Sequence, residues 1–109
     1  TEGDALPVAG AGEVHAGPAA ILSNVSGDRV ESYAIEIVRV LGSTGVQNLL
    51  IQVTDPALIQ QTGGIVQGMS GSPILQDGKL VGAVTHVMVN EPSKGYGILI
   101  ENMLEQAGR

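Results

Sequence analysis

The chain has 109 residues, enough for one hydrophobic core and one compact domain but too few for two independent domains. Hydrophobic residues make up 43% and charged residues 15%, which excludes a disordered chain; with two Tyr as the aromatic complement, Val, Ile, Leu and Ala must build the interior. A formal charge of −6 without a Lys/Arg cluster excludes nucleic acid as a partner and disfavours contact with an anionic membrane, and the lack of cysteine excludes disulfides and thiolate chemistry.

No apolar run approaches the ~20 residues of a membrane-spanning helix. The start, Thr1-Glu2-Gly3-Asp4, carries neither a signal-peptide pattern nor an initiator Met, so the chain is expected to be a piece of something longer.

Residues 1–16 are rich in Gly, Ala and Pro and predict an extended lead-in, with a short strand at Leu6 to Ala9. Ala19 to Leu22 is a first apolar run, closed by the turn signal Ser26-Gly27-Asp28. Arg29 to Leu41 alternates but carries apolar residues on both parities, which predicts a long strand with a bend or bulge. After a Gly42-Ser43-Thr44-Gly45 turn comes a strand from Asn48 to Val53. Asp55-Pro56 followed by Gly63-Gly64 has the punctuation of a short helix: a capping Asp, Pro at the first helical position, Gly at the end. Ser72 to Gln76 and Lys79 to Val89 read as a hairpin about Asp77-Gly78. Asn90 to Gly95 reads as a polar turn before a strand from Tyr96 to Ile100, and Glu101 to Ala107 as a short closing helix. Many short strands and abundant turn glycines define an all-β chain, and about six strands suit one six-stranded Greek-key barrel. No internal repeat or linker divides it.

Gly68-Met69-Ser70-Gly71-Ser72-Pro73 is the segment that carries chemistry. A serine nucleophile needs its hydroxyl exposed on a tight turn, with backbone N–H groups free to face a developing oxyanion. Gly68 and Gly71 permit that backbone, and the N–H groups of Gly68 and Ser70 are the candidate oxyanion donors. The competing reading is an ordinary Gly/Ser-rich loop. The residues beyond Pro73 favour chemistry: a strand, a hairpin, then Leu80-Val81-Gly82-Ala83-Val84-Thr85-His86. That order resembles chymotrypsin-like peptidases, in which the second strand pairs with the substrate backbone, so Val84, Thr85 and His86 are the substrate-binding candidates. The signature of that class is Gly-Asp-Ser-Gly-Gly-Pro; Met69 and Ser72 here replace its Asp and second Gly.

The divergent branch is identified by longer matches. Ile65 to Ile74, Gly82 to Val87 and Gly95-Tyr96-Gly97 closely resemble the sporulation stage IV protein B (SpoIVB) peptidases of endospore-forming bacteria. Glu13-Val14 with Gly17-Pro18-Ala19, and Thr54-Asp55-Pro56 with Thr62-Gly63-Gly64, fit as well, so the resemblance runs from Leu6 to Gly108. It implies an exported serine peptidase with a chymotrypsin-like barrel. Such a peptidase acts between the two membranes of the developing spore, on the forespore side, and cuts a regulatory protein, so activating a late mother-cell sigma factor.

In the family pattern the triad carboxylate falls at Asp55, where it would orient a histidine. The residues themselves offer a plain alternative, an N-cap before Pro56, and the two roles are compatible. The family's histidine lies upstream in a Gly-His context. His15 in Glu13-Val14-His15-Ala16-Gly17 does not match that motif, and His86 lies 16 residues after Ser70, so neither is the expected general base. The chain is therefore expected to be the C-terminal, nucleophile-bearing part of a peptidase domain, inactive or nearly so by itself. It would depend on a missing N-terminal segment for the histidine. No His/Asp/Glu spacing suggests a metal and no phosphate loop is present, so no cofactor is expected. The expected partners are a protein or peptide substrate and that N-terminal segment; homo-oligomerisation stays open. The second reading is a non-catalytic barrel that holds a peptide strand without cutting it.

Overall fold

In the computed structural model the described residues are 7–23, 30–42, 44–45, 47–62, 69–88 and 90–107. They form six strands, β1 (Gly17–Ser23), β2 (Glu31–Val40), β3 (Leu49–Val53), β4 (Pro73–Gln76), β5 (Lys79–Met88) and β6 (Glu91–Leu99). Two helices, α1 (Pro56–Thr62) and α2 (Ile100–Ala107), and a 3-10 turn at Ala11–Glu13 complete the described structure.

The strands close into one barrel in the order β1-β2-β3-β6-β5-β4, with every neighbouring pair antiparallel. Strands β1, β2 and β3 follow one another, and β4 returns to lie beside β1, which is the Greek-key arrangement the sequence suggests. Closure leaves no continuous free sheet edge. Side-chain alternation fills the inside. Leu49, Ile51 and Val53 of β3 are buried with Tyr33, Ile35 and Ile37 of β2, Ile21 of β1 and Ile74 of β4. Apart from Tyr33 and Met69 the core is aliphatic, in keeping with a chain that has two tyrosines and no Phe or Trp.

A bulge interrupts β2: the register with β3 shifts between Ile37 and Arg39, and Val38 at the shift and Val40 beyond it are both exposed. Asp77 (φ 55°) and Gly78 (φ 77°) both take left-handed backbone, the geometry of a tight hairpin turn between β4 and β5. Asn48, fully buried, sends its side-chain N–H to the Thr44 carbonyl and accepts the Leu99 N–H, tying the β2–β3 connection to the last strand.

Three sequence expectations are modified. The polar turn at Asn90 to Gly95 shrinks, because β6 already starts at Glu91, opposite Met88, and Lys94 pairs with Gln52 of β3. Pairing on both sides there overrides local turn preference. The expected strand at Leu6 to Ala9 is reduced to a parallel bridge between Val8 and Leu80, with Leu6 outside the described residues. The closing helix starts at Ile100. The turn at Ser26-Gly27-Asp28 and the glycine end of α1 lie outside the described residues.

Antiparallel closure decides which ends of the strands meet. The end of β3, the start of β4 and the end of β5 share one end of the barrel; the start of β1, the β4–β5 hairpin and the start of α2 share the other.

Candidate active site

Ser70 sits at the first of these ends, in a turn that β5 holds in place. The Ser72 N–H donates to the Met69 carbonyl at 2.9 Å and closes the turn. The Gly71 N–H donates to the Val84 carbonyl at 2.7 Å, and the Val84 N–H donates to the Ser72 carbonyl at 2.9 Å. Gly71 has φ +91°, a conformation that a side chain would strain. Met69, fully buried, anchors the turn from below, whereas Ser70 is exposed. Alternating one buried and one exposed residue through a glycine turn is what lifts a hydroxyl out of a packed barrel end. The Ser70 Oγ–H donates to the Thr85 carbonyl at 3.1 Å.

Of the candidate substrate strand, Val84 is buried and its backbone N–H and carbonyl are both used by the Ser70 turn. Thr85 lies at a register shift between β5 and β6, and its hydroxyl donates to the Tyr96 carbonyl at 3.2 Å. His86 is exposed and paired with Tyr96. The pairing of β4 with β5 starts at Pro73 opposite Ala83, so β5 runs on past β4 from the level of Ser70 to Met88. Gly68, the other oxyanion candidate, lies outside the described residues.

Asp55 lies at the same barrel end, at the start of α1. Its Oδ1 accepts the N–H groups of Ala57 (3.0 Å) and Leu58 (3.4 Å), which makes it the N-cap that the residue pattern suggests. Its Oδ2 accepts the Ala34 N–H at 3.1 Å, so the same side chain clamps α1 to β2. Buried Leu58 of α1 joins Met69 in the core. Three N–H groups leave one of the roughly four acceptor positions of a carboxylate free.

His15 belongs to the opposite end. β4 separates that end from Ser70 by four strand residues, roughly 13 Å. There the lead-in is strapped to the hairpin: the Ala9 N–H donates to the Leu80 carbonyl and the Leu80 N–H to the Pro7 carbonyl. Lys79 pairs with Glu13 at 2.9 Å, which holds the Glu13 carboxyl below its ordinary value. His15 places Nε2 2.9 Å from Asp77 Oδ2 and Nδ1 2.9 Å from the Ala16 carbonyl. Both partners accept, so the doubly protonated ring satisfies both; the Asp77 carboxylate first, then the Ala16 carbonyl, raise the imidazole above its ordinary value.

A raised folded value means that the His15 contribution to stability is fully present below about pH 6.5, the unfolded value, and fades as the pH rises through the higher folded value. Thermal unfolding followed upward from that pH is expected to fall more steeply for the native chain than for His15→Gln. Parallel curves would mean that the strap holds without the imidazolium. Two concavities, of about 290 and 330 Å³, also open beside Gln76 and Asp77, away from Ser70. Among the described residues no group of three or more His, Asp or Glu is placed to hold a metal ion, and no helix is long and apolar enough to cross a membrane.

The turn that carries Ser70 was legible in Gly71. The Thr85–Tyr96 bond was not, since nothing local distinguishes a bulge threonine from any strand threonine. A serine hydroxyl raised on a glycine turn at the head of a closed Greek-key barrel is an arrangement suited to a barrel-type serine peptidase. A family model described as SpoIVB peptidase S55 matches residues 1–104, and the chain belongs to this family of serine peptidases. No curated protein and no solved structure matches the chain.

Proposed function

We propose that this chain is the nucleophile-bearing part of a serine endopeptidase, with Ser70 as the attacking residue. The observation that carries the reading is the Ser70 turn itself, exposed at its tip, buried at Met69 and pinned to β5 through both the N–H and the carbonyl of Val84. Ser70 Oγ adds to the scissile carbonyl carbon while its proton passes to a histidine. The N–H groups of Gly68 and Ser70 receive the oxyanion; one such donor is worth about 10²–10³ in rate. The C–N bond then breaks as the histidine returns the proton to the departing amine, and water repeats the sequence on the acyl-enzyme.

His15 is held at the other end of the barrel, and the Ser70 hydroxyl bonds a carbonyl rather than an imidazole. We assign the general base to the segment that precedes these residues in the family, with Asp55 using its remaining acceptor position to orient that histidine. An extended substrate would lie along Thr85 and His86, where β5 outruns β4, adding a strand to the sheet. Resemblance to the SpoIVB peptidases supports a regulatory protein as the substrate, cleaved between the two spore membranes in the pathway that activates the late mother-cell sigma factor. The bond from Ser70 to Thr85 also suits a second reading, a barrel that binds a peptide without cutting it.

The test is the intact mass of the full-length protein after incubation with a fluorophosphonate, which loses fluoride as Ser70 Oγ bonds phosphorus. One adduct is expected, and Ser70→Ala should reduce its formation by at least about 10⁴-fold. A folded protein that gains no adduct would leave the binding module as the answer.

A further inference from the structure

The hydrogen bonds that hold the Ser70 turn differ in what they fix. Those joining Gly71, Ser72 and Val84 are backbone to backbone, so they place the Ser70 Cα but leave its side chain free to rotate. The bond from Ser70 Oγ to the Thr85 carbonyl acts on that rotation directly. An exposed serine on a turn ordinarily samples several rotamers, so the acceptor at Thr85 matters out of proportion to one hydrogen bond.

That carbonyl is available because of a bulge. Val84 pairs with Gly97 and His86 with Tyr96, so β5 advances two residues while β6 advances one, and Thr85 is the extra residue. A bulged residue drops out of the ladder, which frees its carbonyl to turn toward the neighbouring loop. On the β6 side its hydroxyl donates to the Tyr96 carbonyl at 3.2 Å, beside the His86–Tyr96 pair. One residue therefore bridges β6 and the Ser70 hydroxyl, through its side chain on one side and its carbonyl on the other.

We infer that Thr85 is a positioning residue for Ser70: its hydroxyl, bonded to Tyr96, holds the β5 bulge whose carbonyl fixes the rotamer of the Ser70 side chain. The consequence for reaction rests on the proposal that Ser70 is the nucleophile, whereas the rotamer itself does not depend on it. Fixing Oγ at the barrel mouth before substrate arrives removes a rotational search from the attacking step. Valine, which keeps the branched shape and lacks the donor, should release the bulge; serine, which keeps the donor, should preserve it.

Two readouts on the full-length protein test this. Three-bond Hα–Hβ couplings report the Ser70 side chain, and saturable fluorophosphonate kinetics separate probe binding from the covalent step. Native protein and Thr85→Ser are expected to show one dominant Ser70 rotamer, and Thr85→Val an averaged one. The maximal rate of phosphonylation should fall about tenfold in Thr85→Val and recover in Thr85→Ser. A single Ser70 rotamer in folded Thr85→Val would overturn the inference, as would an unchanged or faster covalent step. If Thr85→Val does not fold, Thr85→Ala takes its place with the same two expectations. Native protein that never reacts would count against the peptidase proposal, and the couplings would still decide the role of Thr85.

Discussion

Gly82→Ala is expected to unfold the barrel or to cost more than about 3 kcal/mol of stability. Gly82 lies mid-way along β5, opposite Ile74 of β4 and Leu99 of β6. A Cβ there would stand 1.8 Å from the Ile98 carbonyl oxygen and 2.8 Å from its carbon. Both are backbone atoms of a strand paired on its two sides, so relief requires β6 to move away from β5 and against its pairing with β3. Gly97 makes the contrast. Its added Cβ would meet the tip of Ile74 at 2.8 Å, and a side-chain tip can turn aside, although the Ala83 carbonyl at 3.2 Å leaves little room. Gly97→Ala should therefore cost less than Gly82→Ala. Urea denaturation of the two variants checks the order, and a Gly82→Ala protein as stable as the parent would mean that β5 and β6 approach less closely than this geometry requires.

Asp55→Ala should lose about 2 kcal/mol, the sum of a helix cap and the bond that joins α1 to β2. The carboxylate serves Ala34, Ala57 and Leu58 at once, so alanine removes an acceptor from three N–H groups. Asp55→Asn should lose about half as much, because its amide offers one acceptor oxygen and sets a donor against another donor. The asparagine variant separates structure from chemistry. If Asp55 also orients the histidine, phosphonylation of folded Asp55→Asn protein should drop by up to about 10⁴-fold, far beyond its effect on stability. A rate equal to that of the parent would reduce Asp55 to a cap and clamp. Denaturation and phosphonylation measured on the same sample give both answers.

Local physics wrote much of this molecule openly. Asp77-Gly78 specifies a turn with two positive φ angles, and the hairpin forms there. Asp55-Pro56 specifies a helix start, and Asp55 caps α1. Gly71 at φ +91° beside Ser70 marks a backbone that only a special turn requires, which made six residues a candidate nucleophile turn that the strand and hairpin after Pro73 then favoured. Apolar residues on both parities of β2 announced an irregular strand, although not the position of its bulge between Ile37 and Arg39.

Other features arise from pairing between distant segments, where no local preference exists to be read. Glu91 to Gly95 looks like a turn by composition, yet β3 and β5 draw it into β6 from both sides. His15 carries no sign of its partner in its neighbours; Asp77 reaches it only because the lead-in and the β4–β5 hairpin meet at one end of a closed barrel. Thr85 likewise gains its bond to Ser70 from a register shift that depends on Tyr96 and Gly97, eleven and twelve residues further on. The sequence by itself determined the Asp77-Gly78 turn, the Asp55 cap, the largely aliphatic core and the exposed serine, because each depends on backbone preference or hydrophobicity over a few residues. The tertiary structure alone decided which carbonyl meets the Ser70 hydroxyl and which end each histidine occupies, because antiparallel closure, not local preference, sets which strand ends coincide.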